Sequence, residues 1–533
     1  MNIEKYLKRK IRSLNPDQLS LFNQIVSNIL LQLCIPTGTG KGYIMFVDIL
    51  RRIIKTKESI IAISSHRLML NEQHLNDLFE MLSPLIGDIG FIFVGSSKYN
   101  SSKFQSNTEF NKLLLKKKLS YDEIISSTTS TSEVNDLVKN HLSNGRKVII
   151  MTTYHSLNKL RNLDIDTIYC DEAHTLASDE FSKFQENFES IKSKNKYFTT
   201  ATPKDCFEDE KDTFLMNNES IFGKRIGLKF KDCVEKGYIP RPLIHIAIPE
   251  NFGTDSDFKS IPNMTKFIID TFLYHKNWLL SVSADPTKIA PKILIKCPSV
   301  DDMWVLQKTL IGKLPNVKIC AGASENENSN FKHFIDLEGI STRAEYLNRL
   351  QSLKEEDMAI VLHYDTMSEG VNVAGFSGVE FLSGKLPTIP KTFQNTGRAS
   401  RLHPIDRTRL RNGEIKVGDG NMIKPYFAVI IPYWDRESET TSKELAKRIK
   451  GLRDEYGFDP AYKVSIGSDI GDGEVKNELD ALNQKNKKEK VTELIKNINQ
   501  EIEQMDKKEE DLSILNDVKN MDIEEWIGYM TNK

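Results

Sequence analysis

A glycine-rich turn between an apolar run and a helical pattern constrains this chain most. The turn, Pro36-Thr37-Gly38-Thr39-Gly40-Lys41-Gly42, follows the apolar residues 29–35 and precedes a helix-like segment at 43–54. Glycine lets backbone N–H groups close around phosphate oxygens, the next helix directs the positive end of its dipole there, and Lys41 adds a point charge. The order of these parts predicts a phosphate-binding loop at the end of a strand.

A pair of carboxylates far downstream gives this loop a chemical meaning. Asp171-Glu172-Ala173-His174 follows the apolar run Ile168-Tyr169-Cys170. One carboxylate can hold Mg²⁺, and the next can orient or deprotonate a water. An acidic pair at a strand end is usually a solvated edge when it stands alone. Because loop and pair occur together, in this order and each at a strand end, we predict nucleoside-triphosphate hydrolysis, with Asp171 on the metal and Glu172 on the water.

The composition is that of a large globular protein. A chain of 533 residues is too long for one core, and its 39% hydrophobic and 28% charged residues fit two or three folded domains. The six cysteines lie far apart without a Cys-x-x-Cys pair, which argues against a zinc site or a disulfide framework. No long apolar span or signal-peptide pattern is present. We expect a soluble, cytoplasmic protein, and its Lys-, Asn- and Ile-rich composition suits a viral or phage source.

Apolar runs alternate with helical patterns in two regions, which predicts two α/β domains with parallel sheets. We predict a first domain at 1–228, a second at 229–435 and a helical C-terminal extension at 436–533. The Ser-, Asn- and Lys-rich composition of residues 96–145 predicts a partly mobile surface insertion. The proline-containing run 237–242 predicts the crossing between the two domains. The second region has no glycine-rich phosphate turn, so one domain alone carries the loop.

With both regions in view, the chain resembles a superfamily-two helicase with a DEAH-type second motif, over roughly residues 14–432. The resemblance implies two tandem RecA-like domains that bind ATP and Mg²⁺ in the cleft between them. Leu14-Asn15-Pro16-Asp17-Gln18 resembles the adenine-sensing element of the family, with Gln18 as the reader. The family's nucleotide contacts also fall on Gly370 and Asn372, within Ser368-Glu369-Gly370-Val371-Asn372.

Further motifs resemble the elements that contact nucleic acid or couple its movement to hydrolysis. Short hydroxyl side chains suit phosphate contacts, which position a strand without reading its sequence; ordinary turn and helix-cap chemistry is the alternative. The resemblance assigns strand contacts to Ser65, His66, Arg67, Thr153, Ser299 and Ser368, and coupling to Thr200 and Thr202. Hydroxyls of the coupling motif can bridge Asp171 or Glu172 to the neighbouring domain.

A second-domain motif matches the family's arginine fingers. Gln394-Asn395-Thr396-Gly397-Arg398-Ala399-Ser400-Arg401 carries two arginines three residues apart, so both can point at one spot. The resemblance implies that Gln394, Arg398 and Arg401 face the γ-phosphate bound by Lys41. Fingers of this kind contribute roughly 10³–10⁵ in rate to phosphoryl transfer.

Two positions depart from the family pattern. Gly42 stands where phosphate-loop enzymes have the Thr or Ser whose hydroxyl ligates Mg²⁺, so the metal must rely on Asp171, nucleotide oxygens and waters. Asn372 replaces the usual Asp. Because Asp171, Glu172 and both arginines are present, we predict an active, metal-sensitive ATPase.

The expected function is an ATP-dependent helicase or translocase, on DNA rather than RNA, in replication, recombination or repair. An RNA helicase, a restriction-type translocation subunit and a non-catalytic nucleotide-binding scaffold are the alternatives. An amphipathic repeat near residues 491–505 predicts a helix that packs on the chain's own domains or on a protein partner.

Overall fold

Two sheets, whose described strands all pair in parallel, organise the protein. In this computed structural model the described residues are 2–66, 68–95, 108–177, 183–204, 214–248, 260–322, 349–364, 373, 375–382, 396–417, 420–433, 440–457, 461–466, 489 and 492–509. Parallel strands flanked by helices on both faces confirm the predicted α/β fold with two RecA-like domains.

The first sheet has the strand order β4-β3-β5-β2-β6-β7-β1-β8. Its strands are β1 (Leu30–Cys34), β2 (Ile60–Ser65), β3 (Ile89–Val94), β4 (Ile125–Thr128), β5 (Lys147–Thr153), β6 (Asp164–Asp171), β7 (Lys192–Thr200) and β8 (Lys224–Gly227). The helices around it are α1 (Ile3–Arg12), α2 (Pro16–Ser27), α3 (Lys41–Lys55), α4 (Leu68–Leu82), α5 (Thr108–Lys117), α6 (Tyr121–Ile124), α7 (Thr131–Ser143), α8 (Lys183–Glu189) and α9 (Glu219–Phe222). Apolar cores lie on both faces of this sheet, which explains why its strands read as continuous apolar runs.

The region predicted to be a partly mobile insertion is in part a component of this sheet. Within residues 96–145, β4 pairs with β3, and α7 packs on β3 and β5 through buried Val134 and Val138. The Ser- and Thr-rich run 126–132 supplies the end of β4 and the start of α7. Its polarity was misleading because β4 is an edge strand whose two middle positions are not buried, so it needs few apolar residues. Residues 96–107 lie outside the described part.

The second sheet has the order β11-β12-β10-β13-β14-β9-β15. Its strands are β9 (Arg241–Ile248), β10 (Lys292–Lys296), β11 (Lys318–Gly322), β12 (Ala359–His363), β13 (Gly378–Phe381), β14 (Tyr426–Pro432) and β15 (Ala461–Ile466). Its helices are α10 (Phe230–Glu235), α11 (Ile261–Val282), α12 (Val300–Lys313), α13 (Pro404–Arg411) and α14 (Thr440–Tyr456).

Two strands of this sheet lie where other structures were expected. The proline-rich run read as an interdomain crossing leads directly into β9, which begins at Arg241 and tolerates Pro242 at its second position. β15 lies within residues 436–533, so the predicted helical extension is not wholly helical. Its alternating Tyr462, Val464 and Ile466 have the strand period of two.

The amphipathic C-terminal segment packs on the chain's own second domain. Residues 492–509 are helical, and Leu494 and Ile498 are buried in the second core. The Nζ atom of Lys450 on α14 lies 2.8 Å from an oxygen of Glu509, and Arg453 lies 2.6 Å from Asp506. This docking is one of the two alternatives that the apolar repeat allowed. Among the described helices, none combines the length and apolar character that crossing a bilayer requires.

Candidate nucleotide site between the two domains

The site lies where three neighbouring strands of the first sheet end. β6, β7 and β1 are adjacent, and their register pairs Asp171 with Thr199 and Cys34 with Thr200. Because all three strands run the same way, Asp171, the threonines of β7 and the loop after β1 meet at one edge. This edge, at the carboxyl ends of parallel strands, is where open α/β sheets bind ligands.

The loop after β1 depends on two glycines for its shape. Gly38 and Gly40 have φ values of 89° and 91°, a left-handed conformation that strains other residues. Gly40 is the N-cap of α3, and a Cβ atom there would lie 2.5 Å from Nε2 of Gln18. The glycines therefore set the curvature of the loop and admit the Gln18 side chain against it.

Gln18 links the phosphate loop to the start of α2 through the two ends of its amide. Its Nε2 donates to the carbonyl of Thr39 at 2.7 Å, and its Oε1 accepts from the backbone N–H of Asn15 at 3.0 Å. Gln18 is buried, and the N-terminal cap of α2 holds it in place. The structure thus places the predicted adenine reader on the phosphate loop, whereas its contact with a base stays a prediction.

Lys41 lies between the two carboxylates of the DEAH motif. Its Nζ atom is 2.9 Å from Oδ1 of Asp171 and 3.1 Å from Oε1 of Glu172. Burial alone would lower the pKa of Lys41, but the attraction of the two carboxylates raises it above its usual value. The ammonium is therefore charged, and it is close enough to the loop to turn toward a phosphate.

Asp171 is held by donors on both of its oxygens. Thr199 donates to Oδ1 at 2.6 Å, and Nε2 of His74 lies 2.9 Å from Oδ2. Burial alone would raise the pKa of Asp171, yet Lys41, His74 and Thr199 together keep it well below its usual value. Asp171 is thus a fixed, ionised carboxylate at the base of the cleft.

Glu172 has a strained backbone and one unused oxygen. Its φ of 54° is rare outside glycine, and the amide and hydroxyl of Thr175 bond to its carbonyl at 3.0 and 2.8 Å. Its buried Oε2 accepts no hydrogen bond from the described residues, although Nδ1 of His174 lies 3.5 Å from it. A buried acceptor of this kind can take a proton or a hydrogen bond from a bound water.

The coupling threonines contact the DEAH motif in a different way from the one expected. Thr200 reaches Nδ1 of His174 at 2.9 Å, and the amide of Thr202 donates to the Thr200 hydroxyl at 3.2 Å. Thr199, which the motif comparison did not single out, contacts Asp171 instead. The β6–β7 register decides which of the adjacent threonines meets the carboxylate, and that register is not readable from the motif.

The second domain meets the loop through the segment that carries both arginines. Residues 396–399 are helical, and the hydroxyl of Ser400 lies 3.1 Å from the carbonyl oxygen of Thr37 and 2.8 Å from that of Gly397, so its one proton is shared between them. A Cβ atom at Gly397 would lie 2.5 Å from Cβ of Thr37, so glycine permits this close approach. Arg398 and Arg401 line the same cleft as Lys41. The structure therefore brings together the residues predicted to form a composite site.

Arg401 carries its charge in a poorly solvated position. Burial lowers its pKa to about 10, and the charges of Arg398 and Arg407 act in the same direction. Among the described residues no carboxylate lies within ion-pairing distance of its guanidinium, although Asp77 and Glu355 attract it from farther away. An anion in the cleft would lower the energy of this cation.

A buried lysine that sequence reasoning missed holds the arginine segment. Nζ of Lys424 donates to the carbonyls of Ala399 and Arg401 at 2.7 Å each, and also to that of Phe376. Asp406 fixes the backbone of Lys424 by accepting from its N–H at 2.7 Å. Lys424 precedes β14 without any motif around it, so only the tertiary contacts reveal this arrangement.

The residues predicted to contact nucleic acid have varied surroundings. Ser65 is buried and donates to Asn71, Thr153 ends β5 above a short 3₁₀ turn, and Ser299 caps α12 by accepting from the amide of Asp302. His66 follows β2 at the same sheet edge. Five predicted residues lie outside the described part of the chain: Arg67, Ser368, Gly370, Asn372 and Gln394.

The donor set around Asp171 fits Mg²⁺. No cluster of three or more His, Cys, Asp or Glu side chains suited to a metal occurs among the described residues. A single buried carboxylate beside a phosphate loop is nevertheless what Mg²⁺ uses, because it retains waters and takes nucleotide oxygens. Gly42 contributes no ligand, and a Cβ there would lie 3.6 Å from the ring of Phe46, in ordinary contact. The packing thus leaves room for a side chain that this sequence lacks.

The cleft between the domains is large enough for a nucleotide. Its volume is about 470 Å³, within the range of small-ligand sites. Lys41, Asp171 and Glu172 line one side, and Arg398 and Arg401 line the other.

Comparisons with known proteins agree with this architecture. Residues 12–205 match the family described as "Type III restriction enzyme, res subunit". A comparison with curated proteins gives no significant match.

Similar solved structures include an ATP-dependent Type ISP restriction-modification enzyme, LlaBIII, bound to DNA, at 16% identity and a TM-score of 0.58. The alignment covers 92% of this chain but 33% of that enzyme, so this chain spans about a third of its length. The Mycobacterium smegmatis helicase Lhr bound to ssDNA and AMP-PNP has 11% identity and a TM-score of 0.50, with 87% of this chain and 50% of that chain covered. A DEAD-box helicase bound to ssRNA and UDP-BeF has 14% identity and a TM-score of 0.50, with 87% and 77% covered.

The structural superpositions show a shared fold, and the family match covers the part of the chain that carries the phosphate loop and the Asp171-Glu172-Ala173-His174 motif. The resemblance drawn from the motifs is confirmed at this level. Residues 12–205 are thus similar to a restriction-enzyme subunit family, and the chain shares the tandem RecA-like fold of the helicases and restriction enzymes to which it is similar.

Proposed function

We propose that this protein is an ATP-driven helicase or translocase that acts on DNA. The observation that carries the proposal is the shared cleft, in which Lys41 of the first domain and Arg401 of the second line one cavity. The Ser400–Thr37 hydrogen bond links the two domains at its rim. A site divided between two domains can couple a chemical step to domain movement, because hydrolysis changes what joins them.

ATP would displace Lys41 from its two carboxylates. The loop amides and Lys41 would bind the β- and γ-phosphates, and Asp171 would be released from its ion pair to hold Mg²⁺. The metal would neutralise phosphate charge. Glu172, with its buried and unused Oε2, would orient the attacking water and accept its proton.

Arg398 and Arg401 would complete the site from the second domain. Arg401 faces the cleft without a close carboxylate among the described residues, so a developing negative charge on the γ-phosphate would stabilise it. Gln394, Gly370 and Asn372 belong to the proposed site by their motifs alone. When the phosphate leaves, this cross-domain attraction weakens and the cleft can open.

DNA is the proposed track, contacted near His66, Thr153 and the adjoining loops. The family matched over residues 12–205 is a restriction-enzyme subunit, and LlaBIII and Lhr were solved on DNA. Another superfamily-two structure of similar fold holds ssRNA, so the fold alone does not select the nucleic acid. Thr200 contacts the DEAH histidine and accepts from the amide of Thr202, so these two threonines would transmit hydrolysis toward this surface.

A restriction-type translocation subunit is the second candidate. The same family match favours it, and this chain spans 33% of the restriction-modification enzyme to which it is similar. In that case a nuclease or modification partner would complete the activity. Co-purification of the partner with a tagged chain would test this form of the proposal.

Strand-stimulated ATP hydrolysis tests the proposal. Phosphate release should rise severalfold with single- or double-stranded DNA and less with RNA, and Glu172→Gln should abolish it while nucleotide still binds. Turnover that is indifferent to every nucleic acid would refute the motor. Equal phosphate release by wild type and Glu172→Gln would favour a nucleotide-binding scaffold instead.

Unwinding and translocation can be separated with designed substrates. Duplexes with a 3′ tail, a 5′ tail or a fork report strand separation and polarity. Displacement of a triplex-forming strand from an intact duplex reports translocation without unwinding. A helicase should release the tailed strand, whereas a restriction-type translocase should displace the triplex alone.

A further inference from the structure

We propose that His74 is a positioning residue for the metal-binding carboxylate of Asp171, in a site whose phosphate loop lacks a hydroxyl at position 42. The inference rests on the proposed ATPase function and deepens it. It assigns a task to a side chain outside every motif of the sequence. It also explains how a loop with Gly42 can still hold a divalent cation.

The contact between His74 and Asp171 is short and buried. Nε2 of His74 lies 2.9 Å from Oδ2 of Asp171, with 6% and 4% of the two residues exposed. An ionised carboxylate accepts hydrogen bonds and donates none, so Nε2 carries the proton. The bond is therefore a directional N–H donor aimed at one oxygen of the carboxylate.

Thr199 holds the other oxygen. Its hydroxyl donates to Oδ1 at 2.6 Å, while the Tyr154 hydroxyl donates to the backbone carbonyl of Asp171 at 2.6 Å. With a donor on each oxygen, the carboxylate cannot rotate without breaking one of the two bonds. His74 thus fixes the plane in which Asp171 presents its remaining lone pairs to the cleft.

Phe46 lies between His74 and Gly42 and contacts the His74 ring. Phe46, one turn along α3 from Gly42, meets the His74 ring edge-on, with centroids 5.6 Å apart at 74°. A Cβ atom on Gly42 would lie 3.6 Å from the same phenylalanine. His74, Gly42 and Asp171 all line the nucleotide cleft. The loop therefore lacks a hydroxyl ligand close to the point where the buried His74 imidazole orients the Asp171 carboxylate.

The expected size of the effect follows from metal sites in general. Hydrogen-bond partners that orient a ligating side chain typically contribute about 10–100-fold to metal affinity. The contribution should be large here because Gly42 supplies no hydroxyl ligand and Asp171 is the carboxylate proposed to hold the metal. A histidine that merely fills the core would instead affect stability and leave metal affinity unchanged.

Binding of Mn²⁺ in the presence of a non-hydrolysable ATP analogue, followed by electron paramagnetic resonance, measures this contribution without turnover. His74→Leu removes the donor and should weaken Mn²⁺ binding by about 10–100-fold. His74→Gln places an amide N–H at similar reach and should restore most of the affinity. His74→Asn is too short to reach Oδ2 and should behave like His74→Leu.

A matched control is available in the same domain. His141 on α7 is also buried, and neither of its ring nitrogens bonds to a described residue. His141→Leu should leave Mn²⁺ affinity unchanged, whatever it does to thermal stability. A second arm adds the missing hydroxyl: Gly42→Ser in the His74→Leu background should regain about tenfold of the lost affinity, since a hydroxyl is the ligand that phosphate-loop enzymes use here.

The outcomes separate this inference from the function on which it rests. Wild-type protein that binds no Mn²⁺ together with the analogue would overturn the proposed ATP site itself. Wild-type binding that His74→Leu and His74→Asn both retain would overturn the role of His74 alone. If His74→Leu does not fold, the comparison of His74→Gln with His74→Asn decides, because both keep a polar side chain.

Discussion

Gly397 of the second domain lies against Thr37 of the phosphate loop so closely that a Cβ atom on the glycine would be 2.5 Å from Cβ of the threonine. The hydroxyl of Ser400 donates to the carbonyl of the same threonine at 3.1 Å. The two domains therefore meet at the phosphate loop itself, beside the arginines that face the cleft.

Gly397→Ala should slow hydrolysis by obstructing this contact. A methyl group must push Thr37 aside, and overpacking of this kind costs about 1–3 kcal/mol, which corresponds to roughly tenfold or more in kcat. Nucleotide affinity should fall less than kcat, because Lys41 and the two positive-φ glycines of the loop are unchanged. Steady-state phosphate release and analogue binding measure the two quantities.

Gly312→Ala is the control for this substitution. Gly312 lies in α12, and a Cβ atom there meets nothing within 4 Å, so alanine should stabilise the protein by about 0.4–1 kcal/mol without affecting turnover. Unaltered kcat in Gly397→Ala would contradict the idea that close domain contact is required.

Arg401→Ala should lower kcat by roughly 10³-fold, the smaller effect typical of an arginine finger, and change nucleotide affinity by a few-fold at most. Arg409→Ala provides the control because Arg409 lies outside the cleft and donates to the carbonyl of Asn421. Single-turnover phosphate release with saturating ATP and DNA separates chemistry from binding. A loss confined to nucleotide affinity would show that Arg401 binds ATP without assisting the chemical step.

Lys424→Met should impair kcat far more than KM. The substitution leaves the carbonyls of Ala399, Arg401 and Phe376 without their donor, so the arginine segment loses its anchor, and the free energy of unfolding should fall by about 1–3 kcal/mol. Lys292→Met is matched to it, because Lys292 is also buried and donates to the backbone carbonyl of Lys354, which does not belong to the arginine segment. Both variants should be destabilised, and only Lys424→Met should lose kcat. Equal kinetic losses would reduce Lys424 to a general stabilising residue.

Glu380→Gln should flatten the pH dependence of stability. Glu380 on β13 is buried beside the hydroxyl of Thr271 at 2.9 Å, and burial raises its pKa to about 8 from 4.5. The folded protein therefore holds this proton in a range where the unfolded chain releases it. The contribution of the protonated Glu380 carboxyl to the free energy of unfolding is fully present below about pH 4.5. It is lost as the pH rises through 8, at up to about 1.4 kcal/mol per pH unit. Urea unfolding at several pH values between 5.5 and 8.5 should show a steeper fall for wild type than for Glu380→Gln. Identical slopes would mean that Glu380 is ionised in the folded protein.

Local sequence was informative wherever a feature is encoded by neighbouring residues. Short-range spacing was enough to identify three features: the glycines at 38 and 40, the carboxylates after β6 and the paired arginines. This is because backbone curvature and helical periodicity depend on adjacent residues. Edge strands were harder to predict. β4 and β15 carry fewer apolar residues than central strands, and β9 has a proline at its second position. Periodicity therefore assigned β4 to a surface insertion, β15 to a helical extension and the start of β9 to an interdomain crossing.

Residue types and short-range spacing were enough to predict the fold class, the phosphate loop, the acidic pair and a second domain with two arginines. Tertiary structure alone decided that Thr199 rather than Thr200 meets Asp171, that His74 holds the other oxygen of that carboxylate, and that Lys424 anchors the arginine segment. The reason is physical: strand register and side-chain contact join residues tens or hundreds of positions apart, and no local pattern encodes those distances.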